Sequence, residues 1–149
     1  IPVGPDIYKR PFVPSNLPYN IYPVGRGDET TFQASINATP GWEAYYETWI
    51  RHWESPSPNI LRIHDEYRLK KGDGVEFYWQ TRLPVEVQDR KVIISGSKGL
   101  VALDIPEGCT VRLDKLPLYK GGVQTRIAIC KSGKRGKLTV TANLAMLEP

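Results

Sequence analysis

The stretch from Ala44 to Glu54, AYYETWIRHWE, holds the side chains best suited to binding chemistry. Strand alternation would place Tyr45, Trp49, Arg51 and Trp53 on one face, together with Glu47. Aromatic rings stack on sugar rings and charged groups hydrogen-bond hydroxyls or carboxylates, so the mixture is typical of a ligand groove. We take the first four as candidate substrate-binding residues. The tryptophans could instead be core residues, with Arg51 neutralising a carboxylate.

A carboxylate that can pair with Arg51 lies farther along the chain. Asp65 falls between Ile63 and Tyr67 on the apolar face of its own predicted strand. An ionised carboxylate is rarely buried without a partner because its desolvation is costly. We therefore predict that Arg51 and Asp65 form a structural ion pair across adjacent strands.

The two histidines, His52 and His64, fall on the opposite faces of the same two strands. If these strands pair, the imidazoles come close and could bind a structural divalent metal, with Glu54 or Glu66 as third ligand. The spacing matches no specific metal motif, and two exposed or partly buried histidines without a metal fit the sequence too. A metal site at His52 and His64 stays open, and no other cofactor is expected.

The chain carries no further signature of catalysis. It has no Gly-rich phosphate loop, no G-x-S-x-G elbow, and no carboxylate pair distinct from the surface charges. We interpret the tripeptide Arg26-Gly27-Asp28 as a turn. No catalytic residue is therefore predicted.

Composition indicates one globular domain. The 149 residues are 40% hydrophobic and 24% charged, and no apolar run approaches the roughly 20 residues that span a bilayer. The net charge of +4 is scattered along the chain, which argues against nucleic acid as a partner and suits either an anionic glycan or a solvated basic surface. Cys109 and Cys130 are too few for a zinc ribbon; two buried thiols are favoured, and pairing stays open. The start at Ile1, without an initiator Met, leads us to expect a mature or excised piece.

Residues 1–30 are predicted to form an extended Pro-rich arm, because six of the first 23 residues are proline and interrupt helices and central strands. Residues 31–149 are predicted to form the β-sandwich domain. Strand alternation begins at Thr31 and returns in Leu61–Leu69 and Val75–Leu83, which we expect to form a hairpin.

Five further strands follow at a spacing of about ten residues, separated by Gly, Pro, Asp and Ser clusters. They are Lys91–Ser95, Leu100–Ile105, Thr110–Leu113, Val123–Cys130 and Lys137–Leu144. This spacing predicts an all-β fold, an antiparallel β-sandwich of about 9–11 strands, with little or no α-helix.

One order of features extends from Trp49 to Pro84. An aromatic-x-Arg unit, Trp49–Arg51, precedes an apolar strand with an acidic residue, Ile63–Asp65; a Leu69–Gly72 turn then precedes a Trp-bearing strand end, Phe77–Thr81. In this order the segment resembles the C-terminal β-sheet domain of the heparinase II/III-like polysaccharide lyases. Residues Lys91–Ile94, Gly108–Cys109 and Gln124–Ile127 look similar to the closing strands of that domain, so the resemblance covers residues 30–145.

The resemblance implies a lyase that cleaves uronic-acid glycans by β-elimination, periplasmic or secreted from a bacterium. The family's catalytic Tyr and His lie mostly on a preceding helical toroid and in a His-Asn motif that this chain lacks, so none is carried over, not even onto His52 or His64. The chain would then pack on an N-terminal helical toroid of the same enzyme, form one wall of the cleft for an anionic polysaccharide, and be inactive alone. A free-standing carbohydrate-binding module and a structural or coat-type β-sandwich are the alternatives.

Overall fold

The structure, a computed structural model, describes residues 21–147. These residues form eleven strands and no α-helix, with a single 3-10 helix at Thr39–Gly41. The strands are β1 (Val24–Gly27), β2 (Phe32–Asn37), β3 (Tyr46–Ser57), β4 (Ile60–Leu69), β5 (Gly74–Thr81), β6 (Val85–Gln88), β7 (Lys91–Ser95), β8 (Gly99–Asp104), β9 (Cys109–Pro117), β10 (Val123–Ser132) and β11 (Arg135–Met146). The prediction of an antiparallel β-sandwich with 9–11 strands is confirmed.

The strands form two antiparallel sheets of unequal size. The large sheet has eight strands in the order β1-β2-β3-β4-β11-β8-β7-β6, and the small sheet has three in the order β5-β10-β9. The core lies between them and is built from the apolar face of each sheet, as the two-residue alternation requires. Its largest fully buried side chains are Val92, Leu103, Ile127, Ile129 and Val140.

The predicted hairpin between Leu61–Leu69 and Val75–Leu83 is wrong. β4 pairs with β3 and β11 in the large sheet, whereas β5 pairs only with β10 in the small sheet. The turn at Gly72 therefore carries the chain from one sheet to the other. A turn signal between two amphipathic strands predicts a reversal of direction, but a reversal into the facing sheet also buries both apolar faces.

Most of the predicted Pro-rich arm lies outside the described residues. Within its last part, β1 pairs antiparallel with β2 at the edge of the large sheet, with Val24 opposite Ser35. The tripeptide Arg26-Gly27-Asp28 lies where β1 ends, and Asp28 Oδ1 accepts hydrogen bonds from the amides of Thr30 and Thr31. These two amides are the main reason that the pKa of Asp28 falls to about 2.

The two cysteines are free and lie on opposite faces of the small sheet. Cys109 lies opposite Lys131, and Cys130 lies opposite Thr110, so the neighbouring positions 130 and 131 point in opposite directions. Cys109 is buried in the core, and Cys130 is half-buried on the outer face. The register therefore keeps the two thiols apart.

Within residues 21–147, no helix has the length and apolarity that a membrane crossing requires.

Candidate functional site

A cavity of about 530 Å³ opens where the edge strand of the small sheet, β5, faces β3 and β4 of the large sheet. We call it the β5 cleft. Its walls combine aromatic rings with charged side chains, which include Trp42, Tyr46, Trp49, Arg51, Glu76 and Arg126. Mixed aromatic and polar walls of this kind bind ligands that have both flat apolar faces and hydrogen-bonding groups.

Arg51 and Asp65 lie directly opposite each other on β3 and β4 and both line the β5 cleft. Arg51 Nε donates to Asp65 Oδ1 and Arg51 Nη2 donates to Asp65 Oδ2, each at 2.7 Å. Trp49 Nε1 also donates to Oδ1, at 2.9 Å. The Asp65 side chain is only 8% exposed and that of Arg51 is 26% exposed. The carboxylate thus fixes the direction of the guanidinium and of the indole.

Aromatic rings surround this pair. The Tyr46 ring stacks on Trp49 with centroids 5.1 Å apart, and Trp42 meets Trp49 edge-on at 5.6 Å. The Arg51 guanidinium lies 5.4 Å from the Trp49 centroid and 5.5 Å from that of Phe77. The guanidinium therefore lies within cation–π distance of both rings. Asp65 binds its Nε and Nη2 atoms and does not bind Nη1.

Tyr45 and Trp53 occupy other places than Trp49 and Arg51. The register of β3 against β4 shifts between Tyr46 and Thr48, so Tyr46 lines the cleft, while Tyr45 precedes the strand and is 51% exposed. Trp53 lies opposite Ile63 and packs against the hydrophobic core. The uninterrupted alternation that placed Tyr45 on the Trp49 face is therefore wrong, because a β-bulge inverts the phase of a strand.

The opposite wall of the cleft comes from strands that sequence reasoning did not assign to a site. It includes Glu76, Tyr78 and Gln80 of β5 and Arg126 of β10, all from the outer face of the small sheet. The signal in the sequence was their alternation with the inward residues Phe77 and Trp79. Alternation alone does not reveal which strand borders the Arg51 side of the large sheet.

Hydrogen bonds hold this wall in place. Arg112 donates to both oxygens of Glu76, at 2.9 and 3.1 Å, and Tyr78 Oη donates to Glu76 Oε2 at 2.5 Å. These hydrogen bonds lower the pKa of Glu76 from 4.5 to about 2, and those from Arg112 have the largest effect. Arg126 donates to Asp114 at 2.9 Å, and its guanidinium lies 4.5 Å from the centroid of the Tyr78 ring.

Three tyrosine hydroxyls at the cleft stay protonated at neutral pH. Burial raises the pKa of Tyr46 and that of Tyr67, and the Glu76 carboxylate, together with burial, raises the pKa of Tyr78. A phenol with a raised pKa donates a hydrogen bond and does not act as a base near neutral pH. The Tyr67 and Tyr78 hydroxyls already donate to the Gly133 carbonyl and to Glu76, so within the described part of the chain Tyr46 is the one of the three that is left to donate to a ligand.

His52 and His64 meet on the outer face of the large sheet, away from the β5 cleft. They pair across β3 and β4 with ring centroids 6.0 Å apart. His64 Nδ1 lies 2.5 Å from Thr139 Oγ1, and its Nε2 lies 3.5 Å from Glu66. Lys137 binds Glu66 at 3.1 Å and is the main cause of the lowered pKa of this carboxyl. Within residues 21–147, no three His, Cys, Asp or Glu side chains are grouped so that they could hold a metal.

The similarity of this chain to known proteins lies in its fold. No family model matches the sequence, and no curated protein matches it. Among solved structures, thirteen chains are similar. One of them is a heparinase III, with a TM-score of 0.63 and 9% sequence identity; the match covers 85% of this chain and 21% of the heparinase III chain. This chain therefore spans about a fifth of that protein, and its fold is similar to a β domain of a heparinase III.

Proposed function

We propose that this chain is the C-terminal β-sandwich part of a polysaccharide lyase, and that its β5 cleft forms one wall of the site that holds a uronic-acid-containing glycan. The observation that carries the proposal is the fold match to heparinase III over 85% of the chain. A match to 21% of a longer enzyme fits a part that works beside a catalytic domain. In the proposal, that partner is an N-terminal helical toroid of the same enzyme.

The side chains of the cleft are suited to holding a sugar. Trp42 and Tyr46 present rings on which a pyranose face can stack, and Gln80 and Arg51 present hydrogen-bonding groups beside them. Because Trp49 is held by Asp65, Tyr46 and Trp42, the aromatic wall is ordered before a ligand arrives. Such preorganisation reduces the entropy lost on binding.

Lyase chemistry needs a base and an acid, which the proposal places in the catalytic domain. In β-elimination, a positioned group neutralises the uronate carboxylate, a base removes the adjacent C5 proton, and an acid protonates the leaving oxygen. Protonated tyrosines, paired carboxylates and paired arginines supply binding and orientation instead. The chain by itself is then inactive, and as part of an exported enzyme it works in the bacterial periplasm or outside the cell.

The test uses the isotopically labelled chain, titrated by NMR with unsulfated uronate tetrasaccharides and with a neutral tetrasaccharide. We expect amide shifts at Trp42–Arg51 and Glu76–Gln80, and no ultraviolet absorbance from an unsaturated uronate product. Shifts on the His52–His64 face, or no shifts at millimolar ligand, would contradict the cleft as a sugar-binding wall. Product formation by the chain alone would contradict the assignment of catalysis to another domain.

A free-standing carbohydrate-binding module is a second candidate function, favoured by one observation. The described residues of this chain build both walls of the β5 cleft. A module must bind without help, so micromolar affinity of the isolated chain supports it, whereas millimolar affinity supports one wall of a larger site. Isothermal titration with the same tetrasaccharides separates the two.

A further inference from the structure

The charged residues that line the β5 cleft differ in how much of their hydrogen-bonding capacity is already used. The formal charges balance, since Arg51 and Arg126 face the same cavity as Asp65 and Glu76. Charge alone therefore predicts no preference for an anion. The hydrogen bonds do predict such a preference, because a ligand can bind only those donors and acceptors that have no partner within the protein.

The two carboxylates are largely saturated. Glu76 receives four donors, two from Arg112 and one each from the Tyr78 hydroxyl and the Cys130 thiol. Asp65 receives three, two from Arg51 and one from Trp49. A carboxylate offers about four acceptor sites, so these two oxygen pairs have little left for a ligand hydroxyl.

The two guanidinium groups are not saturated. Arg51 uses Nε and Nη2 on Asp65, and Arg126 uses Nε and Nη2 on Asp114. Within residues 21–147, the Nη1 atom of each has no hydrogen-bond partner. Both side chains are partly buried, with 26% and 22% exposed, so a charge-assisted bond to either is stronger than one made in bulk water.

From this difference between the saturated carboxylates and the unsaturated guanidiniums, we infer that Arg51 and Arg126 bind the carboxylate of an acidic sugar in the β5 cleft. Each would donate to it through its Nη1 atom. Asp65 and Asp114 orient the two guanidiniums by holding the other edge of each fork. The inference rests on the proposed function, because it names the group of the glycan that the cleft recognises. The carboxylate of a uronate suits the planar donors of arginine.

The test compares a uronate tetrasaccharide with the same tetrasaccharide whose carboxyls are reduced to primary alcohols. We expect the wild-type chain to bind the reduced form about ten-fold more weakly or worse, the loss of a charge-assisted hydrogen bond. In Arg126→Gln this difference should shrink, and Asp114 keeps Arg112 as its partner in the variant. Arg62→Gln, on the outer face of the large sheet, removes the same charge and should keep the full difference.

A second variant tests the role of Arg51 without leaving Asp65 as a buried charge that has no partner. Arg51→Met combined with Asp65→Asn removes both charges and retains an amide oxygen for the Trp49 indole, and the carboxylate preference should shrink again. Equal affinity of the wild type for the two tetrasaccharides overturns this inference and leaves the cleft as a sugar site. Equal losses in Arg62→Gln and Arg126→Gln also overturn it, because they indicate unspecific attraction. If neither tetrasaccharide binds, the proposed function fails as well.

Discussion

Arg51 and Asp65 face each other across β3 and β4 and are joined by two hydrogen bonds of 2.7 Å each. Asp65 is buried among apolar neighbours on its own strand, Ile63 and Tyr67. Both side chains belong to the large sheet and line the β5 cleft. The stability of the sheet and the geometry of the cleft therefore depend on the same pair.

Substitution Asp65→Asn should lower the free energy of unfolding by about 2–3 kcal/mol, because it leaves the Arg51 charge partly buried without a counter-ion. The value lies below that of a fully buried pair since Arg51 is 26% exposed. Urea unfolding measures it. Glu54→Gln, which breaks the exposed pair with Arg62, is the control and should cost at most about 0.5 kcal/mol. Equal midpoints for Asp65→Asn and the wild type would show that the pair adds no stability.

Glu76 should make the protein sensitive to acid. Its folded-state pKa of about 2 lies below its ordinary value of 4.5, so the unfolded state takes up this proton first as the pH falls. The stabilisation is complete above about pH 4.5 and is lost as the pH falls toward 2. Urea unfolding at about pH 6 and about pH 3 should therefore show a smaller loss of stability in Glu76→Gln than in the wild type. Glu86→Gln, at an exposed position of β6, should behave like the wild type; an unchanged acid loss in Glu76→Gln would be evidence against the Arg112 contact.

The two thiols should react at different rates. Burial raises the pKa of both Cys109 and Cys130, which lowers their thiolate fractions near neutral pH. We expect iodoacetamide to alkylate Cys130 slowly and Cys109 only after denaturation, since Cys109 is 7% exposed. Peptide mass mapping after timed alkylation measures both rates. The folded Cys130→Ser variant should resist alkylation altogether. In the wild type, a mass two hydrogens lower without reductant would reveal a disulfide between the two cysteines and would contradict the register.

Two neighbours in β5 should differ strongly in their contribution to stability. Phe77 is 4% exposed and belongs to the core, whereas Tyr78 is 47% exposed and points away from it. Phe77→Ala should cost about 3–4 kcal/mol because it leaves a cavity between the sheets. Tyr78→Ala should cost about 1 kcal/mol through its contacts with Arg126 and Glu76. Urea unfolding compares them, and losses of equal size would mean that β5 does not pack on the large sheet as described.

The alternation of apolar and polar residues was enough to predict the sandwich and most of its strands, but not β1, which falls within the predicted arm, or β6. A strand that buries one face shows a period of two in the sequence, as β4 does with Ile63, Asp65 and Tyr67. The same pattern singled out Asp65 as a charge that needs a partner. Arg51 was the predicted partner, and the two side chains are in contact.

The sequence pattern did not reveal how β5 is placed relative to β4. Alternation in β5 identifies Phe77 and Trp79 as inward residues, but the choice between pairing with β4 and packing over it depends on contacts between residues far apart in the chain. The bulge near Tyr46, which brings Tyr46 and not Tyr45 into the cleft, is likewise a product of the register between β3 and β4.

The sequence alone was therefore sufficient to predict a β-sandwich. It also singled out the aromatic stretch Ala44–Glu54, with Arg51, as the segment best suited to binding. The tertiary structure decided that Arg51 shares a cleft with Glu76 and Arg126, and that His52 and His64 lie on another face. The physical reason is that side-chain alternation is a local property of one strand. A site is made by strands whose pairing is decided by the burial of the whole core.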